Sequence, residues 1–386
     1  MKAGWQTQSL AEVCQIKPPK SEARNRVAGT DLVSFVPMED LGINQKFLVP
    51  EKTKALAEVV GSYTYFSDGD VLLAKITPCF ENGKLGIAAN LTNGIGFGSS
   101  EYIVFRPDES VSNEWLYYFL SRESFREEGA QRMSGAVGHK RVAKEFVEGY
   151  SIPIPPLPEQ QRIVAILDAA FDGIATAKAN AEQNLQNARA LFESHLQSAF
   201  TAKGEGWVVK TVDQISTNLD SKRVPITKSD RKSGEYPYYG ASGIVDYVAD
   251  YIFEGDTLLV SEDGANLLAR STPIAFSVSG KYWVNNHAHI LKFENLATQR
   301  FVEFYLESIK LDEYITGAAQ PKLNQKALNS IPIPIPENIG AQAKIVKSIE
   351  SLQEETQRLA SLYQRKLAAL DELKKSLLHQ AFSGAL

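Results

Sequence analysis

Cysteine is scarce in this chain: Cys14 and Cys79 are the only two in 386 residues. They have no Cys-x-x-Cys spacing and cannot build a disulfide framework, which points to a reduced, cytoplasmic chain. No run of about 18 apolar residues exists, so no segment reads as a membrane span. Residues 1–10 lack the apolar core that a signal peptide needs. Positive charge is not in excess either. Lys and Arg number 41 against 46 Asp and Glu, a formal net charge of −5. That excludes a protein that coats nucleic acid through a general positive field, but not one that binds it through local patches.

Catalytic signatures are missing too. There is no Gly-x4-Gly-Lys-Ser/Thr loop; Gly83-Lys84 and Gly280-Lys281 lack the glycine five places before. No His-Glu-x-x-His, Gly-x-Ser-x-Gly or Gly-x-Gly-x-x-Gly is present. The Asn-Pro-Pro-Tyr/Phe motif of amino-methyltransferases is absent as well. His287-x-His289 would face one side of a strand, but no Cys or third His stands nearby, so no metal site is expected. Asp256, Glu262 and Asp263 read as turn chemistry around Gly255 and Gly264 rather than as an acid–base pair.

What the chain does have is itself, twice. Ser151-Ile-Pro-Ile-Pro155 recurs 179 residues later as Ser330-Ile-Pro-Ile-Pro334. Arg162-Ile-Val164 matches Lys344-Ile-Val346 at an offset of 182. His195-Leu-Gln-Ser-Ala-Phe200 matches Leu377-Leu-His-Gln-Ala-Phe382 at the same offset. So do Ser134-Gly-Ala136 with Lys140 and Thr316-Gly-Ala318 with Lys322. Gly69-Asp-Val-Leu-Leu73 pairs with Gly255-Asp-Thr-Leu-Leu259, and Trp5 and Trp207 open the two copies. The period is far above the ~20–50 residues of stacked repeats. Each copy runs from a mixed segment through an Ile-Pro strap into a long helical segment.

Residues 159–201 contain no proline and one glycine, Gly173. Pro158 fits the first helical position. Ile163, Leu167, Ala170, Ile174, Ala177, Ala181, Leu185 and Ala188 form a heptad seam with one stutter. The second helix carries Ile345, Leu352, Leu359, Leu367 and Leu370, interrupted by Thr356 and Tyr363. Helices of about 40 residues, ~60 Å long, must bury such a stripe, and the matched copy is the natural antiparallel partner. Separate oligomerising coiled coils are the alternative. The straps cannot be helical, because the residue before each proline is pushed to extended backbone.

The mixed segments hold short β-rich runs, Val71-Leu-Leu-Ala-Lys75, Tyr102-Ile-Val-Phe105 and Leu258-Leu-Val260. Helical spacing over 114–126 and 300–310 places Trp115, Phe119, Phe301 and Tyr305 in a core. Strands and helices do not alternate regularly, so the expected class is α+β. The expected divisions are 1–151 and 207–330 for the mixed domains, and 152–206 and 331–386 for strap plus helix.

Charge is informative locally. Residues 1–150 hold 17 basic and 19 acidic residues, and 207–330 hold 13 and 15, so each mixed domain is mildly acidic. Yet Arg132, Lys140, Arg141 and Lys144 lie in a stretch with no acid and with Gly135 and Gly138. Lys222, Arg223, Lys228, Arg231 and Lys232 oppose only Asp220 and Asp230. Residues 317–326 offer Gln320, Lys322, Asn324, Gln325 and Lys326 without an acid. Glycine-rich loops with Lys, Arg, Gln and Asn suit phosphate positioning and base-edge readout together.

The stretch Ile152-Pro-Ile-Pro-Pro-Leu-Pro-Glu-Gln-Gln-Arg-Ile-Val-Ala-Ile-Leu-Asp168 resembles the strap-and-helix motif of type I restriction–modification specificity subunits. A weaker echo starts at Ile331, where Pro336-Glu-Asn-Ile-Gly-Ala-Gln342 replaces the usual sequence with three residues inserted. Lys75-Ile-Thr-Pro-Cys-Phe-Glu-Asn-Gly-Lys84 resembles a motif of that family's target-recognition domains. The resemblance implies two such domains joined by two long helices that form an antiparallel coiled coil with pseudo-two-fold internal repeat. It implies double-stranded DNA as ligand, each domain reading half of a split site, with the helices spacing the halves. It implies docking of two modification subunits that bind S-adenosylmethionine and methylate a flipped adenine, and restriction subunits that use ATP and Mg. This chain itself would bind no cofactor and make no bonds. The DNA-facing residues it implies are Lys75, Thr77, Lys84, Arg132, Ser134, Gly135, His139, Lys140 and Arg141 in the first domain. In the second they are Ser261, Asp263, Asn266, Asn286, Gln320, Lys322 and Asn324. Lys and Arg are expected on phosphates, and Asn, Gln and Ser on bases or waters. The competing readings are a duplicated coiled-coil scaffold without DNA contact and an enzyme with an unrecognised site.

Overall fold

The computed structural model describes residues 4–136, 138–201, 204–317 and 319–386. Ala318 of the repeated Thr-Gly-Ala lies outside the described residues, as do residues 1–3 of the opening stretch and 202–203 of the second segment. The chain divides into two compact units, one of Met1–Asn180 with Lys366–Leu386, the other of Ala181–Arg365.

The first unit holds two four-stranded sheets. One orders Cys14–Ile16, Tyr102–Pro107, Val71–Ala74 and Leu85–Ile87, all antiparallel. The other orders Lys52–Ala55, Leu32–Val36, Ile95–Gly98 and Thr64–Ser67, with its central pair parallel. The strap strand Ser151–Ile154 pairs with Gln6–Ser9.

The second unit repeats the plan. Thr217–Asn218, Ala288–Lys292, Thr257–Ser261 and Ala275–Val278 form one sheet. Gly243–Val248, Ser233–Gly240, Lys281–Val284 and Phe253–Glu254 form the other, again with a parallel central pair. Its strap strand Pro332–Pro336 pairs with Trp207–Thr211. One parallel pair at the same place in two otherwise antiparallel sheets is the imprint of duplication, and the class is α+β.

The β-rich runs are central strands covered on both faces, which is why they read as unbroken apolar sequence. Val71 and Leu73 enter one core, Leu72 and Ala74 another. Leu258 and Val260 face one core of the second unit, Leu259 the other. The single helix expected over 114–126 is two, Asn113–Leu120 and Glu123–Gln131. The Ser121 hydroxyl donates back to the Tyr118 carbonyl at 2.8 Å, and Arg122 turns extended. Trp115, Phe119 and Phe301 are buried; Tyr305 is only partly so and packs edge-on against Phe200.

Leu157–Thr201 and Ile339–Ser383 are α-helices of 45 residues each. Pro158 is the second helical residue, still in the first turn, where an N–H has no intrahelical acceptor. Ile163, Leu167, Ile174 and Ala181 are buried and Leu185 partly so. In the second helix Val346 and Ile349 are buried, while Ile345, Leu352, Leu359 and Leu370 are half-buried. Thr356 does not interrupt that seam. It is buried, with its hydroxyl donating to the Leu352 carbonyl at 2.9 Å, and Tyr363 is half-buried on the same stripe. Within each unit the helix segments run antiparallel. In the first, Arg162 donates to the Leu386 carbonyl and Lys178 to Asp371. In the second, His195 meets Ser348. Among the described residues no helix is long and apolar enough to cross a membrane.

Candidate nucleic-acid interface

In each unit a loop folds back onto the segment that leaves a central strand. In the first unit Lys75 N–H donates to the Glu101 carbonyl, Thr77 N–H to Lys140, and Val142 N–H to Lys75, each at 2.9 Å. Ser134 and Arg141 exchange backbone hydrogen bonds at 3.1 and 2.8 Å. In the second, Glu262 donates to His287 at 2.9 Å, Gly264 to Pro321 at 3.0 Å and Leu323 to Glu262 at 2.8 Å. Thr316 and Lys322 exchange the corresponding pair at 2.9 and 2.8 Å.

These bonds fix the equivalences. Lys75 corresponds to Glu262, Glu101 to His287, Lys140 to Pro321 and Arg141 to Lys322. Lys322 is therefore the counterpart of Arg141, not of Lys140 as the 182 offset implies. The loop 316–322 is one residue shorter than 134–141, which a match anchored on Ser/Thr-Gly-Ala cannot detect. The glycines close both loops. Gly135 has φ +126°, and a Cβ there would lie 2.9 Å from the His139 carbonyl. Gly317 has φ +85°, and a Cβ there would lie 2.4 Å from the Gln320 carbonyl.

The first junction gathers most of its predicted residues. Arg141 donates from Nε and Nη2 to Glu101 at 2.9 and 2.7 Å, and from Nη1 to the His139 carbonyl at 3.0 Å. This guanidinium holds the Glu101 carboxyl below the usual carboxylate range. Lys75 Nζ donates to the Ser100 carbonyl at 3.1 Å and stands 3.8 Å from Glu101. Thr77 Oγ1 donates to Glu81 at 2.7 Å. Arg132 lies over the Phe146 ring and 3.6 Å from Glu128. His139 and Lys140 are exposed. Lys84 does not join them; its ammonium donates to the Met38 and Glu39 carbonyls at 2.7 and 3.4 Å.

The second junction corrects more of the list. Ser261 is buried, its hydroxyl donating to the Ala241 carbonyl. The Asn266 side chain shapes the adjacent turn, accepting from Thr272 N–H at 3.0 Å and donating to the Thr272 carbonyl at 2.9 Å. Asn324 caps the helix Gln325–Asn329 by accepting from Ala327 N–H at 3.0 Å. Asp263 pairs with the ring of His287 at 2.9 Å. Lys322 Nζ stands 3.2 Å from Glu262. Asn286 and Gln320 are exposed.

Beneath this junction lies a buried charge network. His289 is buried, with Nδ1 2.5 Å from Asp220 and Nε2 2.7 Å from the Leu323 carbonyl. Arg223 bonds Glu262 at 2.6 Å and stands 3.7 Å from Asp220. His287 and His289 thus serve different partners, Asp263 and Asp220. Asp220, Glu262 and His289 bring three ligand-type atoms within 4.8 Å of one another. Their hydrogen bonds and the charges of Arg223 and Lys322 already satisfy them, so they fit an ion-pair network rather than a metal centre. Burial pushes the Asp220 carboxyl up, but the His289 hydrogen bond and charge, the Ile290 N–H and Arg223 outweigh it and leave it low. Glu262 is likewise raised by burial and lowered further by Arg223, His289 and Lys322. Of the loose basic cluster, Arg231 pairs with Asp246 at 3.1 Å and lies over Tyr238, while Lys222, Lys228 and Lys232 are exposed.

Sequence reading missed Glu101, Glu262 and His287 as parts of these junctions. Each meets its partner only through pairings tens of residues apart, and no local pattern marks them.

The family model for the type I restriction modification DNA specificity domain matches residues 2–187 and 204–364. The type I restriction enzyme EcoEI specificity subunit of Escherichia coli is 38% identical over 165 residues, 42% of this chain and 27% of that protein. A putative type I restriction enzyme specificity subunit of Haemophilus influenzae is 34% identical over 184 residues, 43% of this chain and 47% of that protein. The matched stretches thus span about a quarter to a half of those relatives. Two solved structures share the fold over the full chain. One comes from work on complex assembly and conformational transition of the type I R-M system, with TM-score 0.79 and 18% identity, covering 100% of this chain and 99% of that one. The other is the HsdS subunit of Thermoanaerobacter tengcongensis, with TM-score 0.67 and 17% identity, covering 100% and 98%.

Proposed function

The chain belongs to the type I restriction modification DNA specificity family, and from that premise we propose that it is the sequence-reading subunit of a type I restriction–modification complex. Residues 1–151 and 207–330 each read one half of a bipartite site on double-stranded DNA. Residues 152–206 and 331–386 set the base-pair spacing between the halves and dock two modification subunits. The chemistry belongs to those partners. The modification subunits bring S-adenosylmethionine and methylate an adenine, and restriction subunits bring ATP- and Mg-dependent cleavage. A reduced cytoplasmic setting fits this role and the two free thiols.

The observation that carries this reading is one backbone frame built twice with different side chains on it. Lys75, Glu101, Lys140 and Arg141 in the first copy correspond to Glu262, His287, Pro321 and Lys322 in the second. A scaffold holding two copies of one partner needs the same surface twice. A reader of an asymmetric site needs the same frame with different donors and acceptors. Of the candidate residues, Lys84, Ser261, Asn266 and Asn324 are spent on internal bonds, and the remainder form the proposed DNA face.

The test is the methylome of a host that carries the intact system. Deleting this gene should abolish one bipartite adenine-methylated motif. Replacing residues 207–330 by those of a relative should change one half of the motif and leave the other. A motif that survives the deletion would sink the proposal.

A further inference from the structure

Arg141 is the most completely fixed cation at the first junction. Its backbone is bonded to Ser134 on one side and bridges to Ile76 on the other. Its guanidinium gives Nε and Nη2 to Glu101 and Nη1 to the His139 carbonyl. The side chain is nevertheless 46% exposed. Of the five N–H donors of a guanidinium, three are used, which leaves one on each terminal nitrogen. Two coplanar donors at that spacing match O6 and N7 on the major-groove edge of guanine.

A phosphate would accept the same pair of donors, and charge separates the two ligands. Holding a phosphate depends on a cation free to follow it, whereas Glu101, flanked by Arg141 and by Lys75 at 3.8 Å, offsets part of the local charge and fixes the direction of the Arg141 donors. Lys140, the adjacent residue, is exposed, and its ammonium has no ion pair or hydrogen bond among the described residues. Lys140 therefore suits the phosphate, and Arg141 suits a base.

Resting on the DNA-reading role above, we propose that Arg141 is a specificity-determining residue of the first unit, donating to a guanine, and that Glu101 is its positioning residue. This reverses the simpler division in which every Lys and Arg grips the backbone. The second unit has Lys322 in the same place, a single-point donor tied to Glu262, so its half-site is read without this fork.

The experiment uses the chain assembled with its modification subunits and a pool of duplexes randomised at each position of the methylated motif. Arg141→Lys keeps the charge and should lose discrimination at one guanine of one half-site by about tenfold or more, with the salt slope unchanged. Glu101→Gln should weaken the same preference and steepen the salt slope. Lys140→Ala should weaken every duplex alike and flatten the slope by about 1. The other half-site is the internal control. A variant whose first unit had unfolded would lose preference across its whole half-site, and Glu101→Gln would then decide. Unchanged preference at every position in Arg141→Lys, or uniform weakening with a flattened slope in Arg141→Ala, would overturn the assignment. If the wild-type assembly itself prefers no sequence, the DNA-reading role fails instead.

Discussion

Asp220 shows how far one side chain can reach. It takes a hydrogen bond from the buried His289 ring and another from Ile290 N–H at 2.9 Å, while Arg223 stands nearby. The other ring nitrogen of His289 faces the Leu323 carbonyl at 2.7 Å, so the ring ties Asp220 to the loop that presents Lys322. Asp220→Ala would leave those donors buried without acceptors, a loss of about 3 kcal/mol or more. The pH dependence has a definite sign. Asp220 and Glu262 both sit below the usual carboxylate range. Their contribution is present at neutral pH and is lost as the pH falls below ~4 and through their folded-state values. Urea unfolding of the second unit should therefore weaken towards acid pH, and less steeply in Asp220→Ala. Parallel pH profiles for the two proteins would contradict this account. None of it was legible in the sequence, because Asp220 and His289 meet across 69 residues. The exposed loops, by contrast, were legible from glycine and charge alone.

At the scale of elements the straps and helices were the most legible features, and their register the least. The tandem Ile331-Pro-Ile333-Pro-Ile335-Pro336 can be laid on Ile152-Pro-Ile154-Pro155 in two ways. Burial and pairing choose between them. Ser9 pairs with Ser151 as Thr211 does with Pro332, so Ile152 corresponds to Ile333 and Ile154 to Ile335, all buried. The register slips by two residues from the sequence match, and the insertion before the second helix shrinks from three residues to one, Glu337. A buried glutamine then takes the same place in both copies. Gln160 accepts from Ser112 N–H at 2.9 Å and donates to the Ser110 and Pro155 carbonyls at 2.7 and 2.9 Å. Gln342 accepts from the Thr298 hydroxyl and donates to the Pro336 carbonyl, both at 2.7 Å. The glutamine of the family-like motif thus locks strap, long helix and the start of the helix Asn113–Leu120 together. Gln160→Ala strands the buried Pro155 carbonyl and frees two part-buried backbone bonds, and should cost about 1–3 kcal/mol, read as a lower urea midpoint of the first unit. A cost under ~0.5 kcal/mol would show that the lock is dispensable.

At the scale of the whole molecule the duplication was legible, but the ownership of the last helical segment was not. Lys366–Leu386 belongs to the unit that begins the chain. Phe382 packs its ring 4.3 Å from that of Trp115 and 5.3 Å from that of Phe119, and Leu378 and Ala381 are buried in the same core. The second unit completes its own core with Leu196, Phe200, Val346 and Ile349. Removing residues 366–386 should therefore damage the first unit, more than two hundred residues away in sequence, and spare the second. Phe382→Ala alone should cost about 3–5 kcal/mol in the first unit. Hydrogen exchange measures both units at once. The truncated chain should lose protection in Val71–Ala74 and Asn113–Leu120 while Thr257–Ser261 keeps it. Equal loss in both units would mean that they fold as one cooperative body. Unchanged protection in the first would mean that its core closes without the returning helix.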